Sequence, residues 1–280
     1  MQDCVYVGLI SPEGERSGPG ICHYFTGRQY EGLWLNNVRA GHGFEKYPNQ
    51  NSYCGQFDKN KASGKGVYRW QNGEVYDGEW LKGLKHGHGI WRGLRGDSYI
   101  GEWAGSRANG YGVHTYASGD VYEGTWVDGL KHGHGVDRYS NGDKYEGTFQ
   151  QGKATGTGTI TLLDGSTYTG EVLDGMKHGQ GKWKHDQCQF EGTFSHDLKH
   201  GYGRFVWPSG NTYKGEFELD ERSGYGEMYW TQDKSTYEGE WVRGVQHGFG
   251  RMRFASGEVR EGYFHHNVFQ GQSKPAENLR

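Results

Sequence analysis

The chain has 280 residues, of which 51 are glycine and five are proline, so proline-rich Gly-X-Y collagen is excluded. Apolar residues make up 32%, and 20 Tyr, 12 Phe and 10 Trp leave only about 40 positions for Ala, Val, Ile and Leu, so any packed interior has to be built from rings. A formal net charge of -3 supplies no field for nucleic acid, and no apolar run approaches the ~18 residues of a membrane-spanning helix.

In chain order, the stretch from Met1 to Ile10 has neither the basic nor the apolar region of a secretory signal, and none is expected. A degenerate copy of the pattern described next begins at Tyr6, with Gly8 and Gly18-Pro19-Gly20, and assigns residues 1–29 to a capping repeat. The pattern Tyr-x-Gly-x-aromatic then starts at Tyr30, Tyr53, Tyr76, Tyr99, Tyr122, Tyr145 and Tyr168 in steps of 23, and continues at Phe190, Tyr213 and Tyr237 in steps of 22, 23 and 24. These ten copies occupy 30–259. A half-copy opens at Arg260 and runs to 271, and a tail at 272–280 lies outside the register and is expected to be disordered. Cys4, Cys22, Cys54 and Cys188 contain no CxxC pair and are expected to be reduced, packed thiols of a cytosolic protein.

One copy reads Tyr122-Glu-Gly-Thr-Trp126, a loop through Gly129, His132-Gly-His-Gly135, a short strand to Tyr139, then Asn141-Gly142. Alternation puts the tyrosine, glycine and tryptophan on one face and the intervening residues on the other. The second strand, opening at Gly135, adds a glycine and rings to the same face, as in Gly66-Tyr68-Trp70, Gly203-Phe205-Trp207 and Gly226-Met228-Trp230. Asn72-Gly73, Asn141-Gly142, Asp164-Gly165 and Ser209-Gly210 are tight-turn signals. Each copy is therefore a hairpin, and about 22 strands at ~4.8 Å spacing give a ribbon near ~100 Å long. The opposite face carries acids at Glu31, Asp77, Glu79, Glu102, Glu123, Glu146, Glu171, Glu191, Glu216, Glu238 and Glu240, with bases at Lys46, Arg69, Arg92, Arg138, Lys184 and Arg253. Cross-strand acid–base pairs on a solvated face are expected there.

The motif Tyr-x-Gly-x-Trp, then Gly, then His-Gly-x-Gly, repeated in register, strongly resembles the MORN repeat (membrane occupation and recognition nexus). The resemblance implies an all-β, elongated, single-layer antiparallel sheet, a meander of hairpins used as a platform for other proteins. Proteins made almost wholly of such repeats are similar to components of the ciliary axoneme, radial spoke heads included. An axonemal or other cytoskeletal scaffold, holding helical segments of a larger complex, is what the resemblance implies here.

The strings that imitate catalytic motifs are repeat positions. Gly87-His-Gly89, Gly133-His-Gly135 and Gly201-Tyr-Gly203 recur at the hairpin and never open a helix, so a dinucleotide site is not expected, and Gly64-Lys65-Gly66 lacks the hydroxyl residue and spacing of a phosphate loop. His86 with His88, and His132 with His134, stand at a permissible metal-ligand spacing, but His-Gly belongs to the repeat itself; no metal, cofactor or catalytic residue is assigned, and the chain reads as non-enzymatic. A sheet of one layer leaves its rings uncovered, so Tyr76, Trp80, Tyr99, Trp103, Tyr122, Trp126, Tyr145, Trp207, Tyr213, Tyr237 and Trp241 are expected to form an exposed aromatic, partner-binding face. Lys85, His86, Lys131, His132, Lys177, His178, Lys199 and His200 are expected along one basic edge, and Glu74, Asp97, Asp120, Asp143, Asp164 and Glu258 along an acidic one. Lys-His recurs every 46 residues, alternating with Ala108-Asn109 and Ala154-Thr155. Self-association through sheet ends fits this reading, and a peripheral phosphoinositide-binding tether is the alternative, disfavoured by the acid-rich positions.

Overall fold

The computed structural model describes residues 4–273. The expectation that Met1 to Ile10 carries no signal rests partly on residues 1–3, which lie outside the described residues, as does most of the expected tail, 274–280. Among the described residues there are 24 strands and no helix, from β1 (Cys4–Ile10) and β2 (Arg16–Tyr24) to β22 (Val245–Arg253), β23 (Val259–His265) and β24 (Val268–Gly271). They fall into two units, one up to Ser140 and one from Asn141, each with twelve strands. Within each unit consecutive strands pair antiparallel in a meander, with no second layer.

In the regular copies seven-residue and nine-residue strands alternate, and the two extra residues are absorbed by a bulge. In one hairpin Gly124 faces Gly135 and Trp126 faces Lys131, so Thr125 stands opposite His132, Gly133 and His134. The His-Gly segment is therefore part of the strand Leu130–Arg138, which begins five residues before Gly135. The turn is only Asp128-Gly129, both at positive φ (50° and 84°), as a two-residue hairpin of right-handed strands requires. The other turns are longer, closed in the typical copy by Gly73 N–H on the Trp70 carbonyl. The irregular steps of the repeat fall among these longer turns. Asp186 and Gln187 alone join Met176–His185 to Cys188–Ser195, which gives the step of 22, and the turn from Trp230 to Ser235 is a residue longer, which gives 24.

Glycine faces glycine along the sheet, Gly66 to Gly78 to Gly89 to Gly101, because no other residue fits. A Cβ on Gly78 would stand 2.5 Å from the Gly89 Cα. The Tyr76 ring lies across these bare backbones, and its hydroxyl donates to the Glu79 carbonyl at 3.0 Å. The same bond recurs from Tyr30 to Leu33, Tyr53 to Gln56, Tyr122 to Thr125 and Tyr237 to Glu240 at 2.9–3.0 Å. The tryptophan Nε1–H donates to a glycine carbonyl of the preceding copy, Trp80 to Gly66 at 3.0 Å and Trp241 to Gly226 at 3.1 Å.

The degenerate ends use the same plan. Tyr6 lies on the facing pair Gly8 and Gly20 and donates to the Leu9 carbonyl at 2.9 Å, and in the half-copy Phe264 takes the tryptophan position. Cys4 and Cys22 are not the reduced thiols expected. Hairpin pairing sets their Cα atoms 6.2 Å apart and they are disulfide-bonded, a proximity that a spacing of 18 residues does not announce. Cys54 and Cys188 are free thiols.

Candidate functional site

The aromatic face is present but not exposed. Tyr76, Tyr122, Tyr213 and Tyr237 are fully buried, and Trp80, Tyr99, Trp103, Trp126, Tyr145 and Trp241 are 9% exposed or less. Trp207 is half-buried against Phe205 at 4.5 Å, at the end of its strand and outside the ladder. Single-layer reasoning failed because each ring is covered sideways. Trp103 stands edge-on to its own Tyr99 at 5.0 Å and to Tyr76 of the preceding copy at 5.3 Å, and Trp126 continues to Tyr99 at 5.5 Å. Phe190, Phe194, Phe217, Tyr213 and Trp241 build the same zigzag in the second unit. Edge-to-face pairs at 4.5–7 Å contribute about 0.5–1.5 kcal/mol each beyond their burial, so the rings are the core of the sheet.

Cations cover this ladder from above, which corrects the expected basic edge. Lys85 pairs directly opposite Trp80, and residues directly opposite share a face, so its ammonium turns inward to 4.0 Å from the Trp103 ring. Lys131 lies over Tyr122 at 4.7 Å and reaches the buried Asp137 at 2.7 Å. Lys177 lies over Phe194 and Lys199 over Phe190, at 5.7 and 5.9 Å. Arg16, Arg39 and Arg222 hold the same register position elsewhere, two of them 4.3 Å from Trp34 and Trp241. His86, His132 and His200 remain exposed, and His178 is half-buried. Burial among the rings holds the Lys85 ammonium down to about 8, with Glu74 pulling the other way. The 46-residue alternation thus has a physical content: Lys85, Lys131 and Lys177 lie on the ladder, while Ala62, Ala108 and Ala154 take the same place in the intervening copies.

Some acids of the opposite face form the expected cross-strand pairs, as Glu191 does with Lys182 at 2.9 Å, and others have a different task. Glu123 and Arg138 do pair, at 3.2 Å, but Glu79, Glu102, Glu171, Glu216 and Glu240 accept the N–H of His88, Tyr111, Gln180, Tyr225 and Phe249 at 2.8–3.3 Å. These N–H groups lie in the bulge. The carboxylate folds over a positive-φ glycine, such as Gly87 at 54° or Gly248 at 63°, where a Cβ would collide with it. His-Gly-x-Gly is thereby explained as bulge geometry and not as a phosphate cradle. The turn acids are used structurally too: Asp97, Asp120 and Asp143 accept the N–H of Ala117, Ser140 and Leu163, tying each longer turn to the next. These bonds hold the Asp120 carboxyl below its ordinary range.

What the acids and bases of that face concealed is a largely apolar row that includes some of the acids. Through the first unit, cross-strand partners run Val7, Ile21, Glu31, Phe44, Cys54, Val67, Asp77, Ile90, Ile100, Val113, Glu123 and Val136, mostly apolar and interrupted by the acids Glu31, Asp77 and Glu123. Val7, Phe44 and Ile100 are 64, 43 and 54% exposed, and Ile21, Val67, Ile90, Val113 and Val136 are half-buried. A parallel row beside it carries the exposed bases Lys46, Arg69 and Arg92. In the second unit the equivalent row reads Glu146, Thr159, Thr169, Lys182, Glu191, Arg204, Lys214, Glu227, Glu238, Arg251 and Glu261, with no apolar member. Sequence reasoning passed over this contrast; the readable signal was the residue after Gly-x-Gly, which changes from Phe44, Val67, Ile90, Val113 and Val136 to Thr159, Lys182, Arg204, Glu227 and Arg251.

The second unit has one irregular copy. Val172 stands where the others place a ring, and a cavity of about 330 Å³ opens in the same copy between Ile160, Leu162, Tyr168, Lys177 and Trp183.

Comparison with known proteins agrees with the repeat. The family model described as the MORN repeat matches residues 30–52, 53–75, 76–97, 99–121, 122–144, 145–167, 168–187, 190–212, 213–233 and 237–259. No curated protein matches the chain. Among solved structures, it is similar to the TCP domain of SAS-4 (dCPAP) from Drosophila melanogaster, solved with a proline-rich motif of Ana2 (dSTIL), at 12% identity and a TM-score of 0.36, covering 60% of this chain and 90% of that one. It is also similar to the TCP10 domain of Danio rerio CPAP at 10% identity, TM-score 0.19, covering 91% and 94%. Virginiamycin B lyase from Staphylococcus aureus, at 10% identity and TM-score 0.16, covers 93% and 88%. Likenesses this distant carry no argument about function.

Proposed function

The chain belongs to the MORN-repeat family, repeat proteins that bind other proteins or membranes, and on that premise we propose a non-enzymatic scaffold that holds a helical segment of a partner protein along the apolar row of its first unit. The setting we propose, from the resemblance to proteins built almost wholly of these repeats, is a ciliary axoneme of radial-spoke kind or another cytoskeletal assembly. The observation that carries the binding role is the row from Val7 to Val136, whose apolar members are exposed or half-buried, because surfaces seldom align so many apolar side chains without a partner. The ladder of Tyr76, Trp80, Tyr99 and Trp103 supports that row from beneath and does not itself meet the partner.

A helix suits the row by pitch and charge. Two strands at ~4.8 Å advance about 9.6 Å per copy, and seven helical residues at 1.5 Å advance about 10.5 Å, so one apolar position per two turns keeps step with one copy over several copies. Lys46, Arg69 and Arg92 beside the row select an acidic flank on that helix. The test is crosslinking mass spectrometry of the native complex, with wild type and with Ile90→Lys plus Ile100→Glu, which write second-unit character into the first. The reading predicts crosslinks from Lys46 and Lys65, which flank the row on opposite sides, to one helical segment, lost in the variant while circular dichroism is unchanged. Retention of the partner by the variant overturns it, and salt-sensitive flotation with phosphoinositide vesicles in place of protein crosslinks assigns the membrane tether instead.

A further inference from the structure

The end of the second unit gathers three imidazoles. His247 stands in β22 just before the bulge glycine Gly248, His265 is the last residue of β23, and His266 opens the following turn at a φ of 46°. One nitrogen from each lies within 4.8 Å of the other two. His266 Nδ1 is 3.2 Å from both ring nitrogens of His265, and the His247 ring lies 5.2 and 5.8 Å from the other two rings. Zinc bound at about 2.0–2.1 Å in a tetrahedron places neighbouring ligand nitrogens about 3.3 Å apart. The 265–266 pair already spans such an edge. His247 needs to approach by roughly 1.5 Å, which rotation about its own χ angles supplies.

The repeat provides its own control. His178 and His196 occupy the register positions of His247 and His266, with ring centroids 5.6 Å apart, but Ser195 stands where His265 does and bonds His196 Nδ1 at 3.0 Å. That copy has two imidazoles and a hydroxyl; only the later one has three. We propose that His247, His265 and His266 bind a zinc-class divalent cation, three neutral nitrogens with the fourth position open, and that the ion pins the turn after β23 to β22. Imidazole is the commonest protein ligand for such ions, and exposure of His265 and His266 leaves the site open to entry from solvent.

The experiment titrates the full-length, metal-stripped protein with zinc chloride alone by calorimetry, and with cobalt(II), whose tetrahedral visible band reports nitrogen ligation. Wild type is expected to take up one ion per chain, with His265→Ser, which copies the Ser195 arrangement and so preserves the fold, weakening binding at least about tenfold. His247→Asn is expected to act alike, and His178→Ser to leave both the affinity and the band unchanged. Absence of saturable uptake, unchanged binding in His265→Ser, or an equal loss in His178→Ser overturns the site.

Discussion

The first twelve strands and the last twelve share one backbone solution and differ in what they place on its outer side. In both units a tyrosine or phenylalanine lies across facing glycines, an edge-on ring comes from the next copy, and most bulges are closed by a side-chain acceptor, as Gln56 does for Lys65 and Glu216 for Tyr225. On the outer row the first unit is mostly apolar, with three acids among its members, and the second is charged or hydroxylic with no apolar member. Since the second unit forms its ladder with Lys182, Arg204 and Glu227 on that row, aliphatic side chains at Ile90 and Val113 are not required by the fold. Their presence in one unit only is a property of the surface.

The largest effect tests the shared part. Gly78→Ala and Gly215→Ala each drive a methyl into a facing glycine, 2.5 Å from the Cα of Gly89 or Gly226, and both are expected to cost about 3 kcal/mol or more in a urea unfolding series. A loss in one unit and not the other would break the claim of a common backbone rule. Next, Glu45→Gln keeps an acceptor but leaves the buried guanidinium of Arg39, 7% exposed, without its carboxylate charge, and is expected to destabilise the first unit by about 2–3 kcal/mol. Circular dichroism melts would show that shift.

Two pH effects sharpen the comparison further. Burial raises Tyr30, Tyr99 and Tyr168 from 10.0 to about 12, so the stability they provide is complete below pH 10 and is lost as pH rises through about 12. Both units share that loss, and tyrosinate absorbance should rise with unfolding. Lys85 runs the other way. Its folded value of about 8 lies below the ordinary 10.5, the unfolded chain binds the extra proton between those values, and its contribution to stability increases with pH across that window. Lys85→Met should flatten this rise in the denaturation midpoint between pH 8 and 10. The smallest effect is a gain: Leu219, held at a φ of 49° in the second unit, is relieved by Leu219→Asn, which should add about 1 kcal/mol in the same urea assay.

The repeat, the face carrying the rings and the glycine turns were legible because each was written ten times. Burial of the rings was not, since edge-on packing between Trp103 and Tyr76 depends on how closely neighbouring copies approach, which alternation does not encode. The inward turn of Lys85 was hidden for a related reason: it follows from the bulge that sets this residue opposite Trp80, and the bulge shows in the sequence only as two unmatched residues. The Cys4–Cys22 bridge depends on a hairpin whose first copy departs from the motif. The apolar row was open to reading and was obscured by the acids Glu31, Asp77 and Glu123 within it and the bases beside it.

The central claim is that the outer row of the first unit, and not the aromatic ladder, meets the partner. Hydrogen–deuterium exchange on the native complex, compared with the chain alone, tests it most directly. Protection on partner binding should fall on the strands carrying Phe44, Val67, Ile90, Ile100 and Val113 and leave those carrying Lys182, Arg204 and Glu227 unchanged; equal protection of both units, or protection confined to the second, would contradict it.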